Sequence, residues 1–331
     1  MPGLTAMSPE GFVLCVGRLY SDLVFTGLDA MPEPGREHFA RDVTLVPGGG
    51  AFITAAHLSG LGRPAALAAR IGIDHFGRGL DGPLAASGVD LRWLDRAADA
   101  GPQLTVAMAV DSDRAFLTRR AGKAEPATLD AALASGLLRH LHIAELATLR
   151  EIPDLVARAR QCGLTVSLDC SWDAVAIADP AALGLLDGVD LFFPNEAEAL
   201  ALTGAATPEA ALDALAARIP AVAIKLGGEG AVAEVAGERL RAAAPPVPVV
   251  DTTGAGDAFD AGFLDRWLDG EPLDVCLAWA VACGSLSVQR AGGAESIGTR
   301  DSIEATAGRL QATKQSGAAR RKTATSLTAL T

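Results

Sequence analysis

Half of this 331-residue chain is hydrophobic, which is enough to bury a sizeable core and excludes disorder over most of its length. The net charge of −12 would repel a phosphate backbone, so nucleic acid is not expected as a partner. The first residues lack a basic, apolar leader and no uncharged apolar run reaches spanning length; the expectation is a cytoplasmic protein without a membrane partner.

Taken in chain order, Phe12 to Gly17 reads as a buried strand, followed by a stretch with little helical period to about Pro47. After Gly48-Gly49-Gly50 the pattern predicts a helix over 51–61, a strand over 65–73 and a helix over 74–87. Gln103 to Asp111 and Arg114 to Arg120 read as a hairpin turning at Ser112-Asp113. Short apolar runs at 141–144, 164–168, 191–193 and 221–226 then alternate with helical segments, the pattern of a parallel sheet covered by helices on both faces. Gly230 to Val235 and Val247 to Val250 suggest added strands. Two regions, about 18–46 and 90–120, fall outside the alternation and are expected to pair as a small β-sheet lid on one domain spanning 1–310. Residues 311–331, rich in Ala, Thr, Ser, Lys and Arg, read as a frayed basic tail.

Five cysteines without a Cys-x-x-Cys pair are read as reduced, mostly core residues. His140 and His142 alternate onto one strand face, but without further ligands in the sequence they are read as structural rather than as a zinc site. Gly77-Arg78-Gly79-Leu80-Asp81-Gly82 formally satisfies a dinucleotide-binding spacing. Asp74-His75-Phe76 separate it from the preceding strand and Pro83 follows at once, so that reading is set aside. No Gly-x-x-x-x-Gly-Lys-Ser/Thr occurs.

The most informative stretch is Val249-Val250-Asp251-Thr252-Thr253-Gly254-Ala255-Gly256-Asp257-Ala258-Phe259. Small residues between an apolar β-branched run and a helix aim backbone N–H groups and a helix dipole at one point, which suits a phosphate. A carboxylate beside an anion site is of use if it takes a proton from a hydroxyl attacking phosphorus. The plainer role for Asp257 is a helix N-cap.

The spelling Asp-Thr-Thr-Gly-Ala-Gly-Asp-Ala-Phe resembles the C-terminal motif of the ribokinase-like (PfkB) carbohydrate kinases, and Pro47-Gly48-Gly49-Gly50 with Arg70-Ile71-Gly72 resembles the family's first motif. The resemblance implies an α/β ribokinase-like fold with a mostly parallel central sheet, flanking helices and a small lid. It implies ATP and Mg²⁺ as cofactors and a sugar as acceptor, with a nucleoside kinase or a non-catalytic sugar or nucleotide sensor as alternatives. Asp257 becomes the catalytic base, with Gly254, Ala255 and Gly256 as the anion hole. Asp22, Gly48, Gly49 and position 53 would hold the acceptor; the family commonly has Asn where this chain has Ile53. Asn195 and Glu198 match an Asn-x-x-Glu element that helps order Mg²⁺ through water, while Lys225, Gly227 and Gly230 fall on the nucleotide side. Asp251, Thr253 and Ser296 match a loop pair that holds a monovalent cation, K⁺, in many relatives. A homodimer through the lid is expected.

Overall fold

The computed structural model describes residues 11–110, 113–290, 292–295, 298–310 and 312–314. Its strands are β1 (Phe12–Val16), β2 (Tyr20–Thr26), β3 (Asp42–Gly48), β4 (Ala65–Ala68), β5 (Arg70–Gly72), β6 (Asp95–Ala97), β7 (Leu104–Val110) and β8 (Asp113–Arg119). They continue as β9 (Leu138–Ile143), β10 (Thr165–Asp169), β11 (Leu191–Phe193), β12 (Ala221–Lys225), β13 (Ala231–Val235), β14 (Glu238–Ala242) and β15 (Ala312–Lys314). Nine of them form the central sheet in the order β15-β14-β13-β12-β11-β10-β9-β1-β4. It is parallel from β4 to β12 and antiparallel beyond.

Strands buried on both faces need apolar side chains on both, and β1 (Phe-Val-Leu-Cys-Val) supplies them. Leu14 and Val16 enter the core on one face with Leu141 and Leu168, while Val13 and Cys15 pack on the other with Phe52 and Phe263. The sheet order reverses at β1, which lies between β4 and β9. Such a reversal opens a crevice beyond the carboxyl ends of the strands, where ligands bind in open α/β sheets.

A separate sheet, β3-β2-β7-β8, uses 20–26, 42–48, 104–110 and 113–119. The expected second lid segment is therefore shorter than 90–120: Asp95–Ala97 pairs instead with β5 in a two-stranded sheet. The hairpin register pairs Val110 with Asp113, so Asp113 belongs to a strand and not to the turn.

Four other expectations change. The strand expected over 65–73 breaks at Ala69 into β4 and β5, and the helix expected over 74–87 splits into His75–Gly79 and Asp81–Ala86. Asp74 stops the chain ahead of the first by accepting from the N–H groups of Phe76 (2.9 Å) and Gly77 (3.3 Å). Val247 to Val250 is not a strand, and Val249 and Val250 are exposed. The strand after β13 is β14, reached through Ala236 and Gly237, whose positive φ values of 51° and 84° make the tight turn that a two-residue hairpin requires. Finally, Ala312–Lys314, expected in the frayed tail, pairs antiparallel with β14 at the sheet edge; the rest of that tail lies outside the described residues.

Candidate active site

Asp257 stands in the first turn of the helix Ala255–Leu268, but it does not cap it. The N-cap is Gly254, held at φ 73° in the left-handed region that glycine adopts without penalty, and no side chain caps the helix end. A second helix, Gly50–Gly60, also starts without a side-chain cap, from Gly49 at φ 95°. A Cβ on Gly50 would lie 2.7 Å from Asp257 Oδ1, so the two helix N-termini converge on this carboxylate. Burial pushes the Asp257 carboxyl up to about 7, with Asp169 adding to the shift and Lys225 opposing it.

Beneath Asp257 lies a charge cluster of which the sequence reading had named only Lys225 and Glu198. Asp169, at the carboxyl end of β10, and Asp260, one helical turn beyond Asp257, place carboxylate oxygens within 4.8 Å of one another and of Asp257. Lys225, ending β12, sends its Nζ to Asp169 Oδ1 (2.9 Å) and Asp260 Oδ1 (3.2 Å). One buried cation thus faces several carboxylates, and burial followed by Asp169 raises Asp260 well above the usual carboxylate range. Glu198 is buried nearby and raised to about 7 by desolvation and by Asp169. Its carboxylate also accepts the Asn195 N–H (2.8 Å) while the Asn195 side chain accepts the Glu198 N–H (3.0 Å), a capping box on the helix Glu196–Thr203. These hard oxygen donors, short of positive charge, fit Mg²⁺.

Lys225 and Gly256 also form the floor of a cavity of about 340 Å³, which Gly227, Gly228 and Gly230 border on one side. Val247, Val249, Val281 and Val288 make its walls largely apolar, suiting a flat base. Val247 and Val249 of the β-branched run before the motif are therefore part of a cavity wall, which accounts for an exposed Val249 outside a strand.

On the other side of Asp257 the small sheet contributes Asp22. Its carboxylate lies directly over Gly48, where a Cβ would come within 1.8 Å of Oδ2, so no side chain fits at position 48. Its Oδ1 is buried without a partner, and burial lifts the group to about 7 against the lowering effect of the Thr105 hydroxyl. An unpartnered acceptor oxygen suits a hydroxyl donor. Glu145, following β9, was missed by sequence reasoning; it accepts the Arg18 N–H at Oε1 (3.2 Å), burial raises its pKa, and its charge reaches Asp257. Its only local signal is a carboxylate just past an apolar strand run.

Ile53 is 4% exposed and packs beside Gly254 and Gly293. The Asp251 carboxylate brackets two loops, accepting from the N–H groups of Thr253 (2.8 Å) and Gly292 (2.9 Å); Ser296 lies outside the described residues. His140 and His142 are buried on β9 and share the Ser167 hydroxyl at 2.8 and 2.9 Å. No metal-holding group of His, Cys, Asp or Glu among the described residues includes them.

The model of the pfkB family carbohydrate kinases matches residues 11–300. The ATP-dependent ribose-1-phosphate kinase of Halopiger xanaduensis is 31% identical over 297 residues, covering 88% of this chain and 97% of that protein. The ribokinase of Arabidopsis thaliana is 29% identical over 307 residues, covering 88% and 79% respectively. The solved structure of Arabidopsis thaliana ribokinase complexed with ribose and ATP superposes with a TM-score of 0.76 at 26% identity, covering 90% of this chain and 98% of that one. The chain belongs to the pfkB family of carbohydrate kinases, phosphotransferases with an alcohol group as acceptor, and has the ribokinase fold. No helix among the described residues is long and apolar enough to cross a membrane.

Proposed function

We propose that this enzyme transfers the γ-phosphoryl group of ATP to a hydroxyl of a sugar or sugar-like acceptor, with Asp257 as the base. The observation that carries the reading is the position of Asp257, between the uncapped starts of two helices and between the cavity floor at Gly256 and the Asp22–Gly48 contact. The acceptor oxygen forms the new P–O bond, its proton passes to Asp257, and the bond from the γ-phosphorus to the bridging oxygen breaks to release ADP. The amides around Gly254, Ala255 and Gly256 face the charge that develops on the transferred group. The apolar cavity takes the base, with Gly227 and Gly230 letting the nucleotide pass close to the backbone. Lys225 faces the phosphates from below, and Asn195 holds the adjoining helix start.

Mg²⁺ would neutralise phosphate charge. Glu198, through water, and the Asp169 and Asp260 oxygens are the groups suited to hold it. Asp251 and Thr253, beside the anion hole, are assigned to K⁺ together with Ser296, which lies outside the described residues. Asp22 and Glu145 grip acceptor hydroxyls, with Gly48 and Gly49 admitting the acceptor to the backbone.

The β3-β2-β7-β8 sheet serves as the lid. Hydrogen exchange over 18–46 and 104–119 is expected to slow when acceptor and a non-hydrolysable ATP analogue are both present. Unchanged exchange with binding shown independently would remove that role. One face of this sheet, with Leu23, Phe25, Val43, Val106, Met108 and Leu117 in register, is apolar, and Val43 and Leu117 are exposed on it. That face fits a second copy of the chain.

The test is a screen for ATP consumption over sugars, sugar acids, sugar phosphates and nucleosides, repeated with Asp22→Ala on every active compound. Asp22→Ala is expected to raise the acceptor KM at least tenfold while nucleotide affinity stays within twofold. Absence of turnover with every hydroxyl acceptor, despite ATP binding, would count against the kinase reading. Equal loss of both affinities would make Asp22 a fold-supporting residue.

A further inference from the structure

The turn that carries the anion hole is held from the side by the loop 292–295, and this loop is in turn held by the helix Gly50–Gly60. Asp251 ties the first pair through its bonds to the Thr253 and Gly292 N–H groups. Gly254 and Gly293 then meet backbone to backbone: a Cβ on Gly254 would fall 2.8 Å from the Gly293 Cα. Ile53 closes the remaining space, its Cγ2 3.0 Å from the Cβ position of Gly254 and its Cδ1 2.8 Å from that of Gly293. One turn along the same helix, His57 Nε2 stands 2.9 Å from the Gly293 carbonyl oxygen. Burial lowers the His57 pKa, leaving a neutral ring whose single N–H sits on Nε2 to donate to that carbonyl. Residues 53 and 57 are four apart, so one helix face presents both contacts.

We propose that Ile53 and His57 are positioning residues for phosphoryl transfer, setting the height of the Gly254 turn, and with it the Ala255 and Gly256 amides, through the Gly293 loop. This rests on the anion-hole reading given above. Gly254, Ala255 and Gly256 carry no side chain larger than a methyl to fix their own position, and an error of about 1 Å in such a site is worth up to about 10²-fold in rate. Ile53 fills that gap with apolar bulk and His57 fixes the loop by a hydrogen bond. Position 53 therefore governs rate rather than the choice of acceptor.

The experiment uses the full-length chain and the best acceptor from the screen, with Ile53→Val, Ile53→Ala, Ile53→Asn, His57→Gln and His57→Leu. Ile53→Ala and His57→Leu are expected to lower kcat about tenfold with acceptor KM within twofold and the order of acceptors unchanged. Ile53→Val and His57→Gln, which keep bulk and donor respectively, should recover most of the rate. The double variant should lose less than the product of the two single losses, because both act on one loop. If Ile53→Ala does not fold, Ile53→Val and Ile53→Asn supply the same comparison. Affinity for ADP with tetrafluoroaluminate, a mimic of the transferred phosphoryl group, is read in parallel and should weaken in step with kcat while ADP alone binds as before.

A changed acceptor KM or preference at unchanged kcat would put Ile53 in the acceptor pocket and overturn the proposal, as would full kcat in both Ile53→Ala and His57→Leu. A wild-type chain that neither turns over nor binds ADP would instead sink the kinase reading itself.

Discussion

Asp257→Asn is expected to reduce turnover by about 10²-fold or more while raising the melting temperature by about 2–4 °C at about pH 8. The substitution keeps the shape of the side chain and leaves the N-cap intact, since Gly254 occupies that position. It removes the proton acceptor. It also removes a carboxyl that burial, aided by Asp169, holds at about 7 against about 3.9 in an unfolded chain. A pKa raised by folding means that the native state holds a proton which the unfolded state has lost. The associated stability is complete below about pH 4 and disappears as pH rises through about 7. The variant lacks this dependence, so its advantage in melting temperature should widen between about pH 5 and about pH 8. Catalysis has the opposite sign, because the base works only when deprotonated: wild-type kcat/KM should fall as pH drops below about 7. Turnover near wild type with a confirmed acceptor would assign the proton elsewhere, and a melting difference independent of pH would show that Asp257 is ionised throughout.

Lys225→Met should be the most destabilising single change in the site, costing about 3–5 kcal/mol, because it strands buried carboxylates without their cation. The Nζ bonds Asp169 and Asp260, both buried, and lies where Asp257 and Glu198 also feel its charge. The methionine fills similar volume, so the loss would be electrostatic rather than a cavity. Two signatures separate these causes. Melting of the variant should recover as pH falls, since protonated carboxyls no longer repel, and adding Asp260→Asn should restore part of the loss. An unchanged melting temperature would mean that the cluster is neutralised by protonation already and that Lys225 serves the nucleotide alone.

Local signals carried much of this protein. The alternation of apolar runs with helical segments announced the parallel sheet, and the glycines at 48–50 and 254–256 announced turns, because a backbone with φ near 95° or 73° is strained for any residue with a Cβ. The Asp257 motif could be read for the same reason: its anion-binding geometry is built from consecutive residues. Glu145, Asp169 and Asp260 could not be. The first two stand at the carboxyl ends of the neighbouring strands β9 and β10, and only parallel pairing brings those ends to one crevice, beside a helix far along the chain. Position 53 shows the same limit. The residue type does not say what Ile53 touches; the rotation of the helix Gly50–Gly60 is what turns it onto Gly254 and Gly293. Val247 to Val250 read as a strand because β-branched composition marks apolar surface without saying what covers it. Whether such a run finds a hydrogen-bonding neighbour or lines a cavity is decided only in the assembled fold, where β14 follows β13 in the sheet and Val247 and Val249 line the cavity instead.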